Sequence, residues 1–209
     1  MKFLKALILF SVLLSFSANA LLEVNIIKSK EELFPVVIAP FEIIGDAQQG
    51  ADIANIIRDN LNRSGQFNAL STNELVTNRI DFDFWQEHKK DAVIFGKIEQ
   101  VSSKVFNIYI YIYDVFSEKS LYAKKIAVHN SGIRRIAHYL SDRIYYVLLG
   151  QKGSFDTRLS YVAVSEDKKG NRTYRLQISD SDGYNPQTVV KDDHPILSPS
   201  WSSDQNKLA

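Results

Sequence analysis

Pro195-Ile196-Leu197-Ser198-Pro199-Ser200-Trp201-Ser202-Ser203-Asp204-Gln205-Asn206-Lys207-Leu208-Ala209 reads as the entry to a β-propeller blade. Pro199 and the Ser/Asp cluster punctuate a loop, and Trp201 is a large apolar anchor within it. Lys207, Leu208 and Ala209 look like the first residues of a strand. A blade that opens here implies a repeat architecture, with the rest of the propeller expected beyond Ala209.

Upstream, the segment from Gly153 has the same character. Leu159–Ser165, Tyr174–Ser179 and Gln187–Val190 read as short strands. Glu166–Asn171 is a polar hairpin loop and Asp180-Ser181-Asp182-Gly183 a turn. Short antiparallel strands joined by Asp-Gly turns fit a sandwich or a propeller blade. Residues 153–209 are therefore expected to be the start of a propeller.

Residues 34–152 read differently, as one α/β domain. Val36-Val37-Ile38-Ala39, bounded by Pro35 and Pro40, is a continuous apolar run that fits a buried strand. Asp46–Ser64 predicts a helix with Ala51, Ile53, Ala54, Ile57 and Leu61 on one face and Gly65 as the left-handed residue past its end. Phe67–Leu70 is a short strand, and Ser71-Thr72-Asn73-Glu74 resembles a helix N-cap. Phe82-Asp83-Phe84-Trp85 reads as a packing cluster, and Ala92–Phe95 as a buried strand with a bulge expected at Gly96. In Val105–Val115, Phe106, Ile108, Ile110 and Ile112 alternate with Asn107, Tyr109, Tyr111 and Tyr113. The tyrosine row implies that its face is partly covered. Ser117–Ser120 turns the chain into an antiparallel strand, Tyr122–Val128. Ile133–Leu149 is a second helix, apolar at Ile133, Ile136, Ala137, Leu140, Ile144 and Val147 and ended by Gly150.

The amino-terminal end reads as export machinery and a separate segment. Lys2 and Lys5, the apolar run Ala6–Phe16 and the Ala18-Asn19-Ala20 cleavage site mark residues 1–20 as a secretory signal. The apolar run is shorter than the roughly 20 residues a membrane span needs. Residues 21–33 alternate loosely, with Val24, Ile26 and Ile27 among Glu23, Asn25 and Lys28. Such a strand is either an ordinary edge of the domain or an unpaired edge offered to a partner.

Composition narrows the function classes. The 209 residues are 45% hydrophobic and 23% charged, as in globular proteins. Lys and Arg total 25 against 24 Asp and Glu; without Lys2 and Lys5 the charge is 23 − 24 = −1. That balance, with basic residues spread along the chain, argues against nucleic acid as a partner. Absence of cysteine removes disulfides, thiolate catalysis, Cys-based metal sites and a lipidated mature terminus.

Three polar constellations invite chemical readings. Asp180, Asp182, Gly183 and Asn185 imitate a calcium loop, but no Glu follows Glu166 to supply the bidentate ligand, which favours an Asp-Gly hairpin turn. His138 and Asp142 stand at i, i+4 and can touch, yet no G-x-S-x-G elbow or second histidine at metal spacing accompanies them. Arg134, Arg135 and Arg143 suggest an anion patch without a phosphate loop. Arg134 and Arg135 sit near a helix start, where the dipole disfavours them, which hints at a partner for the arginines. Arg134, Arg135, His138 and Asp142 are therefore expected at an interdomain contact, with no catalytic residue, metal or cofactor.

Several runs in order resemble the periplasmic TolB family of the Tol–Pal system. They are Phe34–Phe41, Ser64–Phe67, Trp85 ahead of Asp91–Gly96, Tyr113–Val115, Arg134–His138 through Asp142 to Gly150, Gly153–Val162, Ile178–Gly183 and Pro195–Ser202. One departure is Ser203-Asp204-Gln205, where the family's blade turn is usually Pro-Asp-Gly. The resemblance implies a three-layer α/β domain with a mixed sheet flanked by helices, then a six-bladed propeller. It implies an adaptor without catalysis, in the periplasm. Its implied partners are inner-membrane TolA, through the mature amino-terminal segment, and the outer-membrane lipoprotein Pal, through propeller blades mostly beyond Ala209. Colicins use the same propeller surface in some bacteria. Leu21, Leu22, Glu23, Val24, Asn25, Ile26, Ile27 and Lys28 are the expected TolA-binding residues. Two rivals stand beside this reading: the front of an exported, propeller-bearing serine peptidase, and a complete α/β-plus-hairpin binding module.

Overall fold

The computed structural model describes residues 33–46, 52–76, 79–204 and 206–208. The expected signal (residues 1–20), the segment Leu21–Lys28, Ala51 and Ala209 lie outside the described residues.

The larger sheet is mixed. Strands β1 (Phe34–Ile38), β2 (Glu42–Ile44), β3 (Phe67–Ser71), β4 (Ala92–Gln100), β5 (Val105–Asp114) and β6 (Ser120–His129) run in the order β3-β1-β4-β5-β6, with β2 also on β4. β1 pairs in parallel with β3 and β4; β4, β5 and β6 pair antiparallel. β1 and β2 lie end to end along one side of β4. Their register slips by one: Ile38 faces Ile94 and Glu42 faces Lys97, so four steps on one side match three on the other. The irregularity expected at Gly96 thus belongs to Ala39–Phe41. Gly96 itself stays in unbroken register with Ile110. Glycine is required there because a Cβ would collide with the Tyr109 carbonyl oxygen and the Phe41 ring.

Helices cover both faces. α1 (Ile53–Arg63) and α3 (Ile133–Leu149) pack on one face, against Val36, Ile38, Ile94, Ile98 and the Phe106/Ile108/Ile110/Ile112 row. Those four β5 side chains are fully buried, and burial of such a group contributes about 1.5–3 kcal/mol. α2 (Phe82–Glu87) lies on the other face, its Trp85 packed with Val37, Ala39, Val93, Phe95 and Val115. Phe95 stacks on Tyr111 at 5.1 Å, so the tyrosine row is half-buried. Three layers result, as the mixed α/β reading requires.

Local readings need four corrections. α1 begins at Ile53; Asp46 lies in a bend and donates its backbone N–H to Gln100 Oε1 at 3.0 Å. Ser71–Glu74 caps no helix: Ser71 ends β3, and the Thr72 hydroxyl accepts from the Glu74 N–H in a local turn. The helix comes later, where the Asp81 carboxylate accepts from the Phe84 N–H. Lys207-Leu208 forms no strand; Leu208 makes one isolated bridge to Trp201, closing a tight loop.

β7 (Arg158–Glu166), β8 (Arg172–Asp180) and β9 (Gln187–Asp192) form a separate antiparallel sheet in that order. Leu176 and Ser179 are its buried residues. No helix among the described residues is long and apolar enough to cross a membrane.

Candidate functional site

α3 carries two apolar neighbours per turn toward the large sheet, and the residues beside that stripe reach the small sheet. Arg134 ion-pairs with Asp180 (3.3 Å) and, more closely, with Asp182, while its guanidinium lies 3.8 Å from the Tyr184 ring centre. Arg135 pairs with Asp156 at 3.0 Å. Asp142 spends both carboxylate oxygens on the loop before β7, accepting from the Phe155 N–H (2.8 Å) and the Asp156 N–H (3.0 Å). Gly153 is packed so closely on Asp142 that a Cβ would strike the carboxylate. Arg143 stands nine residues beyond Arg134, half a turn around the helix. It faces Tyr122 of β6 and Tyr146, so the three arginines do not form one patch.

His138 is buried, and it does not pair with Asp142. Its Nδ1 lies 3.0 Å from Asn60 Nδ2 on α1, and its Nε2 lies 3.8 Å from Asp182 Oδ2, with no hydrogen-bond partner. Asn60 also donates to Ser141 Oγ (2.8 Å), Ser141 donates to the Ala137 carbonyl (2.8 Å), and Arg63 donates to Asn60 Oδ1 (2.6 Å). Burial pushes the His138 imidazole pKa down; Asp182 pulls it back, while Arg134 adds to the fall. The network is closed except at His138 Nε2. Ser141, its hydroxyl, is committed as a donor to backbone and is not aimed at an open site.

The Asp180–Gly183 turn is the hairpin the sequence favoured. The Gly183 N–H bonds the Asp180 carbonyl at 2.9 Å, and Gly183 has a φ of +81°, which glycine adopts freely. His138, Asp180 and Asp182 bring ligand-type atoms within 4.8 Å of one another. However, the Arg134 guanidinium already bridges both carboxylates, and a cation would have to compete with it.

Asn60, Ser141, Asp156 and Tyr184 are missed by reading residues one at a time. A signal existed for two of them. Asn60 shares the stripe of Ile53, Ile57 and Leu61, and Ser141 that of Ala137, Leu140 and Ile144. A polar residue on an apolar stripe calls for a buried partner.

Beside this network, a cleft of about 520 Å³ is lined by Arg135, His138, Asp156, Arg158, Asp180 and Trp201. The Arg158 guanidinium lies 5.7 Å from the Trp201 ring centre.

Comparison with known proteins places this geometry in a family. The family model described as TolB amino-terminal domain matches residues 22–121, and the one described as TolB beta propeller domain matches residues 145–209. The chain is 58% identical over 192 residues to the Tol-Pal system protein TolB of Ruthia magnifica subsp. Calyptogena magnifica, covering 92% of this chain and 45% of that protein. It is 52% identical over 190 residues to the protein of the same name from Vesicomyosocius okutanii subsp. Calyptogena okutanii (strain HA), covering 91% and 45%. The crystal structure of TolB from Acinetobacter baumannii superposes with a TM-score of 0.73 at 33% identity, over 85% of this chain and 43% of that one. The chain spans about half the length of the curated relatives it matches. A mixed α/β layer structure followed by an open, partial propeller sheet, matched in order by both TolB models, shows that this chain belongs to the TolB family.

Proposed function

We propose that this chain works as a periplasmic adaptor of the Tol–Pal envelope system, joining inner-membrane TolA to the outer-membrane lipoprotein Pal. The observation that carries the reading is the ordered match to both TolB models together with 58% identity to a Tol-Pal system protein. In this role the protein binds rather than catalyses. It supports outer-membrane integrity and envelope invagination at division, and colicins would enter by the same propeller surface that Pal uses.

TolA is assigned to the segment Leu21–Lys28. A short strand pairs through backbone hydrogen bonds while alternate side chains such as Val24 and Ile26 fill pockets. Residues 34–152 then serve as the α/β platform, and 153–209 as the start of the Pal-facing propeller. Arg134, Arg135, His138 and Asp142 join platform to propeller. Deleting residues 21–30 is expected to abolish TolA binding measured by calorimetry, with the far-ultraviolet circular dichroism of the α/β layers unchanged. Unchanged affinity would sink the assignment.

A further inference from the structure

Among the described residues the large sheet ends in two edge strands, β3 and β6, and they are guarded differently. An edge strand presents unpaired N–H and C=O groups with which another chain can pair. β6 carries Lys124 and Lys125, both exposed, and lysines on an edge discourage a second strand. β3 has no such protection. Its residues, Phe67-Asn68-Ala69-Leu70-Ser71, lie within the uncharged run Ser64–Asn73, which contains no proline, and Leu70 is 45% exposed. Its register with β1 is unbroken, so no bulge twists the edge away.

Which backbone groups of β3 face outward follows from its pairing. The Phe34 N–H of β1 donates to the Gln66 carbonyl at 2.9 Å, and the parallel register runs on to Ile38 opposite Ser71. The N–H and C=O of one strand residue point to the same edge, and the edge alternates along the strand. Asn68 and Leu70 therefore turn theirs to β1, whereas Phe67, Ala69 and Ser71 turn theirs outward. Ala69 is the middle of these three, and both its groups are taken. Asn62, in the last turn of α1, accepts from the Ala69 N–H at Oδ1 (2.8 Å) and donates from Nδ2 to the Ala69 carbonyl (2.9 Å). A primary amide sets a donor beside an acceptor, the same pair that a neighbouring strand would offer. The outward groups left, on Phe67 and Ser71, are separated by the occupied position.

We infer that Asn62 is a plug on the β3 edge: its amide stands in for a strand and keeps a second copy of this chain from pairing there. The plug acts on the fold itself and is independent of TolA and Pal docking. Without the amide, three successive outward positions open on an uncharged strand. A two-fold axis through Ala69, normal to the sheet, would then set β3 antiparallel to the β3 of a second copy.

Amide hydrogen exchange and sedimentation velocity over a concentration series test this. In the unaltered protein the Ala69 amide, although it faces away from β1, should be protected with Asn68 and Leu70, while Phe67 and Ser71 exchange fast. In Asn62→Ala at the lowest concentration, Ala69 should exchange about tenfold faster, with Asn68 and Leu70 still protected. As the concentration rises, this variant should dimerise beyond the level of the unaltered protein, and Phe67, Ala69 and Ser71 should gain protection together. A destabilised fold also self-associates, so a second variant separates the causes. Adding Leu70→Lys to Asn62→Ala should return dimerisation to the unaltered level while Ala69 still exchanges fast. An Ala69 amide as fast as Phe67 and Ser71 in the unaltered protein, no added dimerisation of Asn62→Ala, or a dimer that survives Leu70→Lys would each overturn the assignment.

Discussion

The two sheets of this protein are stabilised in opposite ways. The central strands of the six-stranded sheet are covered on both faces by helices of the same chain, and carry Val36, Val93, Ile94, Ile108, Ile110 and Ile112 at 0% exposure. The β7-β8-β9 sheet has two open edge strands, and along β9 every residue is exposed, Val189 at 54%. Its attachment to α3 is mostly polar: three arginine–aspartate pairs and two N–H bonds to Asp142, with one aromatic contact of Phe155 on Tyr145. The large sheet derives its stability from apolar area, whereas the small sheet is positioned by directional groups that contribute less but set its orientation. Open edges and exposed valines are what a propeller sheet offers to neighbouring sheets.

The sharpest way to break this contrast is truncation of one apolar side chain in each sheet. Ile108→Ala should cost about 2–5 kcal/mol in urea denaturation, and Val189→Ala under about 0.5 kcal/mol. Equal losses would show that the small sheet has a core of its own. A smaller effect is expected at the joint. Asp142→Ala removes two part-buried hydrogen bonds that water can largely replace, and should speed hydrogen exchange at the Phe155 and Asp156 amides while β5 stays protected. The smallest effect is a pH slope. Folding lowers the His138 pKa below its ordinary value, so the unfolded chain takes up a proton that the folded chain refuses. Its stabilising contribution is complete above the unfolded pKa of about 6.5 and declines as pH falls below it. His138→Gln should flatten that part of the stability–pH curve; an unchanged slope would assign it to other groups.

Much of the large sheet was legible in sequence because its signals are periodic. The alternation in β5 and the 3.6-residue stripe of α3 need no knowledge of neighbours, and α3 occupies the expected Ile133–Leu149. Single-residue signals fared worse. Ser71–Glu74 has helix-cap chemistry, but tertiary packing places the helix after Asp81 instead. Glu42–Ile44 is too short to show a period, and it becomes a strand because β4 extends past the end of β1. At Gly96 the sequence pointed to a bulge, but the slip lies in the chain opposite, and the glycine serves the close approach of Tyr109 and Phe41 instead.

The same division runs through the polar residues. From the sequence alone followed the mixed α/β class, the antiparallel strands after Gly153, the resemblance to TolB and the suspicion that Arg134 and Arg135 need partners. The resemblance and the mixed sheet it implies rest on several runs in order; the others rest on patterns read within one segment. Only the tertiary structure decided that the partners are Asp180, Asp182 and Asp156, that Asp142 holds a loop instead of pairing with His138, and that Asn60 meets His138 Nδ1. Asn60 and His138 are 78 residues apart, and helical spacing says which face a side chain occupies but not which donor the fold brings against it.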